Sequence, residues 1–401
     1  MFGLASLSLL SLAGLSLAQD LGVPLNWRKF SNDRSDAEII KISEAAIDAI
    51  LPKLKKDTGE FDGIGYWQSG NVWASMANED YRAGTTKYKD QVVGQLKNVW
   101  GLRDNYDQWG PILIIFHAQF NDDAAWWATA AVYAWRAYND KDLLNNAIKT
   151  WEHISTYAIS DDDAKAGKIS TKDFTFKGTC NDKSMAGGVF WKTEKGSDGI
   201  NSITTGLYMT LSAYLGEATG DDKYIKAAEK SLAWIRNINM KDNLALDSIT
   251  AKDCKHGADW LFTYNTGKLL EGLEILVDLT DKDDYRKLAA NVANAAMKTN
   301  AWHRDDGVIK EGAYPKENND AVGFKSVLVR ALDEAYNRRK GDNEALRILI
   351  HSYVCVQFNA LLDLAAKGDT YSSSWTGPAQ DFTTWGQMAA LDVFIAAINA
   401  A

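Results

Sequence analysis

Apolar residues recur at i, i+3, i+4 and i+7 in segment after segment, along almost the whole chain. This spacing predicts about twelve helices, near residues 35–55, 66–80, 85–100, 121–138, 141–158, 200–218, 222–238, 262–279, 283–299, 321–339, 343–366 and 382–398. The helices are of two alternating kinds. One kind opens on a polar, mostly acidic turn, as at Thr86-Lys87-Tyr88, Asn139-Asp140-Lys141, Thr219-Gly220-Asp221, Thr280-Asp281-Lys282 and Gly341-Asp342-Asn343. Aspartates there suit N-caps and the positive end of the helix dipole, and these helices carry the charge of an outward-facing layer. The other kind opens on polar groups, glycines and aromatics, then turns small and apolar: Tyr66-Trp67-Gln68, Asn121-Asp122-Asp123, Asn201-Ser202-Ile203, Thr263-Tyr264-Asn265, Val322-Gly323-Phe324 and Thr383-Thr384-Trp385. These are expected to be inner helices whose N-terminal ends line a shared site. Six helical hairpins give an all-α fold, an (α/α)6 barrel. An open solenoid is the alternative, but twelve helices is the number that closes a toroid. No convincing run of alternating strands occurs; a short hairpin fits between Ile169 and Thr193.

Residues 1–18 read as a secretory signal peptide, with an apolar run from Leu4 to Leu17 and small residues Ser16 and Ala18 at a cleavage site. Residues 19–401 read as a single (α/α)6 domain, because no Pro/Gly/Ser-rich or single-charge stretch divides them. No later segment resembles a transmembrane helix, and no C-terminal anchor signal is seen. A secreted monomer without a membrane anchor is expected. The net charge of −9 argues against a nucleic-acid partner and suits a neutral ligand. Of three cysteines, Cys355 lies in an apolar run, whereas Cys180 and Cys254 lie in polar loops and are the expected disulfide. No Cys/His spacing matches a metal site, and nothing calls for a cofactor.

The chemistry concentrates in Asn121-Asp122-Asp123-Ala124-Ala125-Trp126-Trp127. Two close carboxylates resist joint ionisation, so one pKa should rise. The pair can then supply an acid together with a base or nucleophile, as glycosidic cleavage requires, while indole faces suit sugar rings. An aspartate pair capping the helix is the purely structural alternative.

Taken with Gly187-Gly188-Val189-Phe190-Trp191, Asn201, Tyr264-Asn265-Thr266-Gly267 and Gly323-Phe324-Lys325, this segment resembles glycoside hydrolase family 76, the α-1,6-mannanases, most closely its secreted fungal members. The likeness covers nearly the whole mature chain. It implies the (α/α)6 fold and endo-hydrolysis of α-1,6-mannan with retention of configuration. By motif, Asp122 would be the nucleophile and Asp123 the general acid/base.

Further substrate-binding candidates are Trp126 and Trp127, as stacking faces or as packing between helices, and Tyr66 and Trp67 with Gln68 in a groove. Gly187 and Gly188 would let backbone approach a sugar beside platforms at Phe190 and Trp191, or simply form a turn. Tyr264 and Asn265 offer hydrogen bonds, with helix capping as the alternative for Asn265. Asp247 stands where the family often has Asp-Gly, but Ser248 follows here. The lone histidines His117 and His303 are expected to be structural. The rival activities are transfer of mannan to a sugar acceptor, cleavage of acidic sugars, and mannan binding without catalysis.

Overall fold

The computed structural model describes residues 20–109, 119–257, 259–314 and 320–401. The signal-peptide reading at 1–18 and His117 lie outside the described residues. Among the described residues twelve long helices occur: α1 (Asp36–Ile50), α2 (Tyr66–Ala83), α3 (Lys89–Leu102), α4 (Asn121–Tyr138), α5 (Lys141–Ser155), α6 (Ser202–Thr219), α7 (Asp222–Ile238), α8 (Thr263–Thr280), α9 (Asp283–Lys298), α10 (Ala321–Arg338), α11 (Glu344–Ala360) and α12 (Thr384–Ala400).

The even-numbered helices form a closed ring in which α2, α4, α6, α8, α10 and α12 each pack on the next and α12 returns to α2. Odd-numbered helices clad this ring, α1 closing over α12. Burial follows the two kinds of pattern. In α6 every residue from Ser202 to Gly216 is buried. In α7 the buried residues are Tyr224, Ala228, Ser231, Leu232, Trp234 and Ile235, a single helical stripe. Close approach within the ring needs glycine. A Cβ on Gly267 would lie 3.0 Å from backbone atoms of Leu328, so α8 and α10 meet there almost main chain to main chain. The result is the six-hairpin (α/α)6 barrel.

The ring's axis is polar below its N-terminal mouth. Arg330 donates to Asp392 at 2.8 and 3.1 Å and to Asn71 at 2.7 Å, and Lys268 donates to Glu271 at 2.7 Å. All four charged groups are buried, so each must be paired to offset its desolvation.

Several local expectations need correction. Asp140, Asp221 and Asn343 do cap α5, α7 and α11 with their side chains. Asp281 does not cap α9; it takes a left-handed conformation (φ 52°) that closes α8, a geometry aspartate tolerates. At the start of α3 the acceptor comes from α2, where Asp80 takes the N–H groups of Lys87 and Tyr88 at 2.8 Å. Five two-stranded antiparallel ribbons decorate the loops, among them Thr179–Cys180 with Lys183–Ser184 in the expected hairpin region. The others are too short to show an alternating pattern. The stretch Glu344–Ala365 is long and apolar enough to cross a bilayer, contrary to the sequence reading; here it clads α12 and is mostly buried. Cys180 and Cys254 are joined as a disulfide with Cα atoms 5.7 Å apart, and Cys355 is a buried free thiol.

Candidate active site

The N-terminal mouth of the ring holds a cavity of about 230 Å³. Its floor carries Asp122, Asp123 and Trp126 from α4. Its walls are Trp67 from α2, Phe120, Trp191, Asn201 at the start of α6, Tyr264 from α8, and Asp320 and Phe324 at the start of α10. None of these lining residues is basic. Tyr264 stacks on Phe324 with ring centroids 3.7 Å apart, and Trp67 lies against Trp126 at 5.5 Å and Phe324 at 6.0 Å. Asn201 also caps α6, its side-chain oxygen accepting from Thr204 N at 3.1 Å.

The carboxylate pair is held in register by the loop that carries Trp191. Asn121 N–H donates to the Trp191 carbonyl at 2.9 Å, and Asn121 Nδ2 donates to the Phe190 carbonyl at 2.8 Å. The Trp191 indole Nε1 then donates to Asp122 Oδ1 at 3.1 Å, and Asp123 N–H reaches the same oxygen at 3.2 Å. The two aspartates differ as a result. Burial pushes Asp122 up to about 7, opposed by backbone N–H groups and the Trp191 indole, with Asp320 adding to the rise. Asp123 is raised well above the usual carboxylate range by burial, then by the charges of Asp122, Asp320 and Asp107, and no donor opposes the rise. Asp122 is therefore the one that ionises first, and Asp123 the one that keeps its proton.

The cavity takes up only part of the predicted site. Asp122, Asp123, Trp126, Trp67, Trp191 and Tyr264 line it. Trp127 does not: it is fully buried, donates to the Tyr66 carbonyl at 3.1 Å and stacks on the Tyr66 ring. Tyr66 also faces the core, its hydroxyl donating to the Tyr106 carbonyl at 2.9 Å, and Gln68 is spent on the N–H of Gly65. Phe190 is buried edge-to-face with Phe174 and Phe176. Gly187 and Gly188 serve packing against α7. A Cβ on Gly187 (φ 95°) would lie 2.1 Å from the Lys230 carbonyl oxygen, and one on Gly188 2.6 Å from the Trp234 indole. Asn265 and Asp247 do not line the cavity; they bond each other at 3.2 Å, and the first N–H of α8, that of Thr263, is taken at 3.0 Å by Glu311 rather than by Asn265. His303 bonds the Tyr353 hydroxyl and the Thr299 carbonyl, and burial lowers it to about 4. The start of α12 contributes no lining residue: Thr383 caps the helix and Thr384 donates to the Asp62 carbonyl.

Two lining residues escaped the sequence reading, Phe120 and Asp320. Asp320 accepts from the Trp67 indole at 3.3 Å. Its signal was an acid immediately before an inner helix, two positions earlier in its helix than Asp122 is in α4.

A paired-carboxylate cavity with aromatic walls, at the shared N-terminal mouth of six inner helices, defines a class of (α/α)6 toroids. Within it the chain belongs to Glycosyl hydrolase family 76, whose sequence model matches residues 51–401. It is similar to the mannan endo-1,6-alpha-mannosidase DCW1 of Saccharomyces cerevisiae, with 24% identity over 291 residues, 69% of this chain and 59% of that protein. The DCW1 protein of Candida albicans is 24% identical over 280 residues, 67% of this chain and 57% of that one. The chain thus spans less than two thirds of the length of these curated relatives. Among solved structures, it superposes with a TM-score of 0.72 on an α-1,6-mannanase of a Salegentibacter species, 17% identical, covering 90% of this chain and 99% of that one. That structure is of an inactive variant with two consecutive aspartates replaced, in complex with α-1,6-mannotetrose. Dfg5 from Chaetomium thermophilum, in complex with glucosamine, gives a TM-score of 0.70 at 18% identity, covering 92% of each chain. At these identities the likeness is one of fold.

Proposed function

We propose that this chain is a secreted endo-hydrolase of α-1,6-linked mannan that retains anomeric configuration, residues 19–401 acting as one catalytic unit and as a monomer. The observation that carries the reading is the unequal environment of adjacent carboxylates in an aromatic cavity: Asp122 is hydrogen-bonded to Trp191, and Asp123 is not. Asp122, ionised, attacks the anomeric carbon; Asp123 protonates the departing glycosidic oxygen. Asp123 then draws a proton from water, which releases the sugar from Asp122. The uncharged aromatic walls suit a neutral hexose polymer. Family membership and the Salegentibacter α-1,6-mannanase in complex with α-1,6-mannotetrose support the choice of linkage. The Cys180–Cys254 disulfide supports an oxidising destination and hence export.

The test compares wild type with Asp122→Asn and Asp123→Asn on unbranched α-1,6-mannan, with the products followed by NMR. Wild type should release short oligosaccharides that first appear as the α-anomer, and each variant should be slower by about 10³-fold or more. First products in the β-anomer would refute retention. If all three proteins bind mannan equally and none cleaves it, the chain is a mannan-binding protein. Longer chains accumulating in place of hydrolysis products would make it a transglycosylase.

A further inference from the structure

A second cavity, of about 540 Å³, opens at the far mouth of the ring, among the last turns of α2, α4, α6 and α10. Fourteen residues of α4 separate Asp122 from Arg136, about 21 Å of helix, so the two cavities occupy opposite ends of the barrel. Three of these helices carry an arginine in the last turn (Arg82, Arg136, Arg338), where the negative end of the helix dipole favours a cation.

All three arginines converge on the buried Glu334, at 2.8–2.9 Å. Arg82 also pairs with Asp333, and Arg338 with Glu217 and Asp278. This network seals the axis. Arg136 at 4.4 Å and Arg82 at 5.3 Å both lie over the Tyr81 ring, which still stays 41% exposed above them. The half-buried Trp135 lines the same cavity, and Asn139 brings an amide to it.

The charge balance selects the ligand. Each guanidinium lining the cavity already faces a carboxylate, so an anion would have to break an existing pair. What remains is the exposed part of Tyr81, the half-buried Trp135 and the exposed Asn139 amide, neutral groups that suit a polyhydroxylated ring. We propose that the far mouth is a second binding site for neutral hexose polymer, which retains a long chain while the aspartate pair acts on the other end of the barrel. The choice of polymer rests on the mannanase reading; the site itself does not.

Calorimetry on the Asp122→Asn/Asp123→Asn variant with α-1,6-mannotetraose tests this without turnover. Two sites per chain are expected. Adding Tyr81→Ala should weaken one of them about tenfold. Asn139→Gly, which keeps the left-handed backbone and deletes the amide, should weaken the same site even where Tyr81→Ala impairs folding. In the active protein, Tyr81→Ala should leave cleavage of the tetrasaccharide unchanged and raise KM for long mannan. One site per chain, or two sites both indifferent to Tyr81 and Asn139, overturns the proposal. So does a wild-type dimer that Tyr81→Ala dissociates, since the face would then join two copies. A protein that cleaves no mannan yet binds the tetrasaccharide at a Tyr81-dependent site would refute the hydrolase reading and leave this one standing.

Discussion

Trp191 donates its indole N–H to Asp122 across 3.1 Å, while Asp123, the next residue, receives no such donor. Backbone N–H groups and this indole together separate two carboxylates that share a helix turn and a cavity. They favour the ionised form of Asp122 and leave the proton to Asp123.

Trp191→Phe keeps the aromatic wall and removes that bond. Losing a donor to the charged form raises the Asp122 pKa, so ionised Asp122 needs a higher pH. A charge-assisted bond contributes about 1.5 kcal/mol, so the acid limb of the kcat/KM profile should move up by about one pH unit. An unmoved acid limb would mean that Trp191 does not control Asp122.

Asp320 acts in the opposite sense, because its negative charge raises both members of the pair. Asp320→Asn should therefore lower both apparent pKa values and carry both limbs of the profile to lower pH, by about half a unit. It also replaces the acceptor of the Trp67 indole, so KM should rise while the limbs shift. A rise in KM with fixed limbs would assign Asp320 to holding Trp67 alone.

Gly187 and Gly188 are packing residues. Gly188→Ala drives a methyl into the Trp234 indole, and Gly187→Ala meets the Lys230 carbonyl at positive φ. Each should cost about 2–4 kcal/mol in urea denaturation, with KM for mannan unchanged in the protein that folds. A raised KM at unaltered stability would return these glycines to the sugar site.

Glu79 is buried, accepts from the Ser43 hydroxyl, and is pushed up to about 8 by burial. Between pH 4.5 and 8 the folded state holds a proton that the unfolded state has released, so stability falls as pH rises through this window. Glu79→Gln removes the ionisation and should be more stable than wild type at pH 8, by on the order of a few kcal/mol, the gap closing toward pH 5. Parallel melting curves across that range would show that Glu79 does not ionise on unfolding.

The ring was legible in the sequence because its two layers have different burial. Inner helices such as α6 are buried on all sides and outer ones such as α7 along a stripe, and hydrophobic spacing reports that difference directly. The aspartate pair was legible because its chemistry is carried by adjacent residues. Which of two adjacent aromatics faces the cavity was not. Trp126 and Trp127, like Tyr66 and Trp67, point about 100° apart on a helix, and only the neighbouring helices decide which of them meets the axis. Gly187 and Gly188 misled because what approaches them, the Lys230 carbonyl and the Trp234 indole, belongs to α7, more than forty residues away. Asp281 misled because one turn had to end α8 and begin α9, and the C-cap took the residue.

Five of the six hairpins each supply a separate wall of the dyad cavity, and each hairpin packs mainly on its two neighbours in the ring. The architecture is therefore modular with respect to selection. On the proposed function, a change at Tyr264 or Phe324 alters one face presented to the sugar chain without touching Asp122 or Asp123, whereas Asp320 also acts on the charge of the pair. Preference for side branches or chain length can drift one loop at a time while the bond-breaking chemistry is conserved. Paralogues built on this ring should differ in their walls long before they differ in their floor.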